Sequence, residues 1–198
     1  GNMGWQPSSR LVKGNTNIMG NYKHVEVCIL AGGDSRRLGR DKARLKLEGR
    51  TLLARAKSLA GEAGLPWRVI RRDVVPRCGP LGGIITALRS TKVEAVMFLP
   101  VDMPFVTAIL LQRLKDHPGC AVFSQSDSAA GFPFRVDTDR LVACEAQLDA
   151  GDFSLQSLAR KLRARRLRLK PAEAVQLFNI NTPEDWAEAR RLCQKGGL

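Results

Sequence analysis

The chain has little of what most hydrolytic, redox and metal chemistry requires. Only two histidines, His24 and His117, occur in 198 residues. Both flank apolar segments without ligand spacing, so surface or capping roles suit them, and no Ser-His-Asp or Cys-His arrangement is evident. The five cysteines (Cys28, Cys78, Cys120, Cys144, Cys193) are odd in number and contain no C-x-x-C pair, which argues against a disulfide framework and a zinc site. Cys28 lies inside an apolar run and reads as a small core residue rather than a nucleophile. No apolar run approaches the roughly 20 residues that span a bilayer, and the first residues lack a signal-peptide core. A reducing cytoplasm is the expected compartment, with no membrane partner. Neither G-x-x-x-x-G-K-[ST] nor G-x-G-x-x-G occurs, so the two commoner phosphate loops are excluded.

What is present suits one domain. The chain is 44% hydrophobic, enough for a full core at this length. Residues 1–22 are rich in Gly, Asn and Ser and read as a disordered extension or tag remnant, leaving 23–195 as a single domain. The net charge of +13 admits two accounts, capture of phosphorylated substrates or of nucleic acid. Much of the excess lies in Arg160, Lys161, Arg163, Arg165, Arg166, Arg168 and Lys170, and no aromatic residue interrupts that run to form a stacking platform. A solvated strand over Arg165–Lys170 is the preferred reading, and nucleic acid is not expected as a partner.

Hydrophobic periodicity gives strands over Val25–Leu30, Trp67–Ile70, Glu94–Pro100, Cys120–Phe123, Phe132–Val136 and Val175–Asn179. Helices are expected over Thr51–Ala60, with Thr51 as cap, and from Gly79–Ile84 to about Leu88. Further helices are expected over Val106–Leu114, Thr138–Leu148 and Ser154–Leu162. Apolar strands alternating with amphipathic helices predict an α/β fold with a largely parallel sheet covered on both faces, its ligands at the carboxyl ends of the strands.

Chemistry gathers at those ends. After the first strand comes Leu30-Ala31-Gly32-Gly33-Asp34-Ser35-Arg36-Arg37-Leu38-Gly39-Arg40-Asp41-Lys42. Gly32 and Gly33 let backbone N–H groups approach an anion, and Arg37 and Lys42 supply charge to phosphates. Asp41 is read as structural, pairing with Arg40 or Lys42. Asp102, just beyond the strand ending at Pro100 and followed by Pro104, presents a hard oxygen suited to Mg²⁺. Gly79-Pro80-Leu81-Gly82-Gly83 opens a helix whose N-terminus favours anions or polar ligand edges. In Asn179-Ile180-Asn181-Thr182-Pro183-Glu184-Asp185 the asparagines alternate onto one side, while Thr182 and Pro183 begin a helix. Their amides suit a pterin or a metal-bound phosphate.

The loop matches L-A-G-G-x-x-x-R-[LM]-G-x-D-K at nine specified positions within thirteen residues. It resembles the signature loop of Rossmann-like nucleotidyltransferases, in particular the molybdenum cofactor guanylyltransferases. The G-P-L-x-G, D-M-P and N-x-N-T-P-E-D segments follow in family order and carry the resemblance from Val25 to about Leu192. It implies a three-layer Rossmann-like nucleotidyltransferase fold. The implied reaction is Mg²⁺-dependent transfer of GMP from GTP to molybdopterin, with pyrophosphate released and cofactor-biosynthesis proteins as further partners. By the same resemblance Arg37, Lys42 and Asp102 are catalytic, and Asp102 holds the metal. Leu30, Ala31, Gly32, Gly33, Lys42, Asp73, Gly79, Pro80, Leu81 and Gly83 bind the nucleotide, while Asn179 and Asn181 bind the acceptor. Gly131-Phe132-Pro133-Phe134 departs from the family, which usually has a Pro-Leu-containing strand there. Two alternatives are a relative of the same fold using CTP or GTP on another phosphorylated acceptor, and a non-catalytic nucleotide- or RNA-binding module.

Overall fold

Among the described residues, eight strands and six α-helices follow one another in the order β1 (Val25–Leu30), β2 (Lys46–Leu47), β3 (Arg50–Thr51), α1 (Leu52–Glu62), β4 (Trp67–Ile70), α2 (Pro80–Ser90), β5 (Ala95–Pro100), α3 (Ala108–Asp116), β6 (Ala121–Ser126), β7 (Ala129–Asp137), α4 (Leu141–Asp149), α5 (Leu155–Lys161), β8 (Arg165–Arg168) and α6 (Pro183–Gln194). They are seen in a computed structural model that describes residues 23–32, 41–71, 79–126 and 129–194.

Six strands form one sheet in the order β4-β1-β5-β7-β6-β8. β1 pairs in parallel with both β4 and β5, and β6 in parallel with β8, whereas β7 runs antiparallel to β5 and β6. Alternating side chains divide the core. Val27, Ile29, Met97 and Leu99 face one cluster with Leu52, Ala56 and Ala60 of α1, Leu110, Leu111 and Leu114 of α3, and Ala189 of α6. Cys28, Val96 and Phe98 face the other, with Leu81, Ile84, Ile85 and Leu88 of α2, Cys144 of α4 and Leu158 of α5. Both faces are thus covered, which is why β1 and β5 are apolar almost throughout. Cys28 is fully buried, and burial pushes its thiol up to about 12, as expected of a packing residue and not of a nucleophile.

Local signals place the helices. Thr51 Oγ1 accepts from Ala54 N–H at 3.1 Å and caps α1 as expected. Thr107 Oγ1 likewise accepts from Leu110 N–H, so α3 begins at Ala108 rather than at Val106. At α6, Asp185 N–H donates to Thr182 Oγ1 while Asp185 Oδ2 accepts from the N–H of Thr182 and Asn181, a reciprocal cap. The Asn181 and Thr182 amides hold the Asp185 carboxyl below its ordinary range, so it stays ionised at neutral pH.

Two expectations need correction, and one element lies beyond them. Val175–Asn179 is not a strand: Pro171–Leu177 forms a 3-10 helix, started by Pro171 and closed by Lys170 N–H donating to Glu173 Oε2. Gln176 Oε1 accepts from both the N–H and hydroxyl of Thr107, tying this turn to the start of α3. The expected helix over Thr138–Leu148 is split into a 3-10 turn at Thr138–Arg140 and α4. The hairpin β2–β3 had not been expected. It turns through Glu48 and Gly49, both at positive φ, a conformation that a two-residue hairpin demands. The basic run does form a strand, β8, at the edge of the sheet, where its charges discourage further pairing. No helix among the described residues is long and apolar enough to cross a membrane.

Candidate active site

β1, β4 and β5 end side by side. From β1 the chain reaches β4 through α1 on one face, then reaches β5 through α2 on the other, so the loops diverge at this point and leave a crevice above the carboxyl ends. A pocket of about 290 Å³ occupies it. Leu30, Ala31, Gly32 and Lys42 line it after β1, Ile70 at the end of β4, and Gly79, Pro80 and Gly83 at the start of α2. Pro100, Val101 and Asp102 close it after β5, with Phe132 and Asn179 from later in the chain.

Glycine has two distinct reasons here. A Cβ on Gly32 would stand 2.6 Å from the carbonyl oxygen of Arg71, because the ends of β1 and β4 run together, with Ala31 N–H donating to Ile70 O at 2.8 Å. Close approach of the chain to itself therefore requires this glycine even before any ligand is considered. Gly79, at φ 55° and ψ −144°, has open space around it but adopts a backbone conformation almost confined to glycine. Gly32→Ala is expected to part the two strand ends, lowering stability by about 1–3 kcal/mol, the usual cost of overpacking. The check is the thermal unfolding midpoint together with nucleotide affinity, and an unchanged pair of values would show that the crossing relaxes freely.

The charged centre is built from three distant segments. Lys42 opens a 3-10 turn capped by Asp41, whose Oδ1 accepts from Ala43 N–H at 3.0 Å. Asp41 also pairs with Arg44 at 3.5 Å rather than with Lys42; Arg40, the other expected partner, lies outside the described residues. Lys42 instead donates from Nζ to Asp102 Oδ2 at 2.7 Å and to Asn181 Oδ1 at 2.9 Å. The Lys42 and Asp102 side chains are only 18% and 15% exposed. The loop bearing Asp102 is pinned by its backbone, Val101 N–H donating to Leu30 O at 3.1 Å and Ile180 N–H to Asp102 O at 2.9 Å. The second bond ties the asparagine segment to the end of β5.

Two oxygens in this pocket are buried without a hydrogen-bond partner, Asp102 Oδ1 and Asn179 Oδ1. Orphaned hard oxygens beside a phosphate-sized opening fit Mg²⁺. No cluster of three His, Cys, Asp or Glu side chains gathers among the described residues. A metal here therefore relies on substrate oxygens, as Mg²⁺ sites that use nucleotide phosphates do.

The other expected residues divide. Arg37, Gly33 and Asp73 lie outside the described residues. Leu81 is 1% exposed and packs α2 onto the sheet rather than lining the pocket. Asn181 does not line it either, but reaches it through Lys42. Ile70, Pro100, Val101 and Phe132 line it without having been expected. The first three follow from the rule that strand ends form the crevice. Phe132 is the outer ring of an aromatic cluster: its centroid lies 4.8 Å from that of Phe134, which stacks on Phe123 at 4.2 Å.

A family model described as the MobA-like NTP transferase domain matches residues 27–167, most of the folded chain. The chain belongs to that family. A molybdenum cofactor guanylyltransferase of Xanthomonas euvesicatoria is 32% identical over 173 residues, covering 80% of this chain and 90% of the relative. One from Rhizobium johnstonii is 30% identical over 196 residues, covering 85% and 92%. Among solved structures, molybdopterin-guanine dinucleotide biosynthesis protein A from Archaeoglobus fulgidus aligns with TM-score 0.68 at 22% identity, covering 86% of this chain and 99% of that one. A 2-C-methyl-D-erythritol 4-phosphate cytidylyltransferase from Thermus thermophilus aligns with TM-score 0.64 at 16% identity, covering 86% and 99%. These two likenesses concern the fold. This MobA-like chain is thus a nucleotidyltransferase, and the Lys42–Asp102 centre lies at the switch point of its sheet, where that fold places ligands.

Proposed function

We propose that the chain transfers GMP from GTP to the terminal phosphate of molybdopterin, in a reaction that depends on Mg²⁺, forming the guanine dinucleotide cofactor and releasing pyrophosphate. The observation that carries the reading is the Lys42–Asp102 pair at 2.7 Å in a pocket bounded by glycine-rich backbone, with two orphaned oxygens beside it. Pyrophosphate must leave with its charge compensated, and that pair supplies both a cation and a metal-facing carboxylate.

The acceptor phosphate needs little activation, since its second pKa of about 6 leaves it mostly dianionic near neutral pH. One of its oxygens attacks the α-phosphorus of GTP and the bond to the β-phosphate oxygen breaks. No His, Glu or Cys lines the pocket among the described residues, consistent with a reaction that needs alignment rather than a strong base. Gly32, Gly79 and Gly83 let the nucleotide approach the backbone, and the start of α2 offers free N–H groups to it. Lys42 neutralises the phosphates. Asp102, with Asn179 beside it, would hold Mg²⁺, which would supply further charge compensation for the leaving pyrophosphate. Arg37 and Asp73 retain their proposed roles toward the triphosphate and guanosine. Asn179 and the aromatic face of Phe132 form the acceptor side. A cytoplasmic setting agrees with Cys28, Cys120, Cys144 and Cys193 being free thiols.

The test is pyrophosphate release from the full chain with molybdopterin, Mg²⁺ and either GTP or CTP. Release with GTP, absent when molybdopterin or Mg²⁺ is omitted, is the expected result. Release with CTP, or with another phosphorylated acceptor only, would move the assignment to a sister activity of the same fold.

A further inference from the structure

We propose that Lys42 holds the place of a cation at Asp102 until substrate arrives, and that Asn181 is the positioning residue that parks it there. The inference rests on the reading of Asp102 as the metal-facing carboxylate and goes beyond it by giving Lys42 two positions. In the parked position the ammonium is shared between Asp102 Oδ2 at 2.7 Å and Asn181 Oδ1 at 2.9 Å. Asp102 is then neutralised on one oxygen while Oδ1 stays buried and unpartnered. An ammonium on Oδ2 and a divalent cation on Oδ1 of one carboxylate repel each other, so metal entry favours the withdrawal of Lys42. The backbone of Lys42 is fixed by the Asp41 cap and by Leu45 N–H donating to Lys42 O at 3.1 Å. Displacement is therefore confined to the flexible four-carbon stem. Because Lys42 itself lines the pocket, the released ammonium remains beside the phosphates.

The exchange makes the site selective for a metal–nucleotide complex. A bare divalent cation must displace the ammonium without a phosphate to receive it. A bare triphosphate must draw Lys42 off Asp102 and then face an exposed carboxylate. The complex satisfies both partners in one event, the metal taking Asp102 and a phosphate taking Lys42. Asn181, assigned to the acceptor from its sequence pattern, acts here through Lys42.

The experiment is a titration of the full chain with Mn²⁺ in the absence of nucleotide, following free Mn²⁺ by electron paramagnetic resonance. Lys42→Met is expected to bind Mn²⁺ at least about tenfold more tightly than the unaltered chain, because it leaves the partly buried carboxylate uncompensated. Asn181→Ala, at an exposed residue and with no change of charge, is expected to tighten binding by about threefold, on the scale of one lost hydrogen bond. Arg44→Met removes a cation from the same turn that is 85% exposed, and is expected to change affinity by less than about twofold. Equal affinities for Lys42→Met and the unaltered chain would overturn the proposal, as would an equal shift in Arg44→Met, which would reduce the effect to the general field. Asp102→Asn in the Lys42→Met background should abolish the tight binding. Mn²⁺ binding indifferent to Asp102 would overturn the metal reading itself, which separates the two failures.

Discussion

Asp102→Ala is expected to lower turnover by at least about 10²-fold, the scale of losing one preorganised electrostatic stabiliser, while the protein stays folded. Two features keep the fold intact. The loop is anchored by backbone bonds from Val101 to Leu30 and from Ile180 to Asp102, neither of which uses the carboxylate. It is also flanked by Val101 and Met103, each 5% exposed, whose packing the substitution leaves alone. The chemistry loses the oxygen that faces the metal and, with it, the parking place of Lys42. Lys42→Ala should fall by a similar factor for a different reason, since it removes the cation that faces the phosphates and leaves Asp102 unpaired. Steady-state pyrophosphate release, read beside the thermal unfolding midpoint, checks both. Near-normal turnover in either folded variant would remove that residue from the catalytic centre.

Arg135→Met should produce the largest loss of stability, about 3–5 kcal/mol, since each hydrogen bond made by a charged donor contributes about 1.5–3 kcal/mol. Arg135 is 2% exposed on β7 and lies opposite Met97 of β5. Its guanidinium donates to Lys115 O at 3.0 Å, to His117 O at 3.2 Å and to Gly119 O. These carbonyls belong to the last turn of α3 and the loop after it, where a helix presents unpaired acceptors and the negative end of its dipole. Burial lowers the pKa of the guanidinium and neighbouring Asp137 raises it, but an arginine remains charged at any ordinary pH. Methionine keeps much of the volume and none of the donors, so the three carbonyls lose the guanidinium that gathers them. At about 2–4 °C per kcal/mol for a chain of this size, the unfolding midpoint should fall by roughly 6–20 °C. Arg135→Lys should recover only part of this, because a single ammonium cannot reach three carbonyls as a planar fork does. A loss below about 1 kcal/mol in Arg135→Met would mean that water satisfies the carbonyls instead.

These residues differ in how legible they were. Asp102 stands out only in combination: alone an acid there suits a turn or a cap, but it follows a buried strand and shares the chain with the Leu30–Lys42 phosphate loop. Arg135 gives no such signal within the strand expected over Phe132–Val136. Its acceptors lie 16 to 20 residues away in the chain, and only the folding of β7 beneath α3 brings them together. The strand expected over Val175–Asn179 gives way to the 3-10 helix at Pro171–Leu177 for a related reason. Its apolar residues Val175 and Leu177 pack against the core beneath α3, and its geometry is settled by Gln176 binding Thr107, 69 residues earlier. The hairpin β2–β3 was missed because two-residue strands carry no periodicity to detect.

By itself the sequence determined the strands of the sheet's centre, the helix caps and the family. Each of these depends on neighbours within a few residues: unbroken apolar runs for strands buried on both faces, Thr51 and Thr182 for helix starts, and the contiguous Leu30–Lys42 loop for the family. The tertiary structure alone decided the reversed direction of β7, the clamp at Arg135, the ring of Phe132 in the pocket and the pairing of Lys42 with Asp102 and Asn181. Lys42 meets partners 60 and 139 residues away. The charge on a lysine is written in its residue type, but which carboxylate it faces is set only when the ends of β1 and β5 are packed side by side.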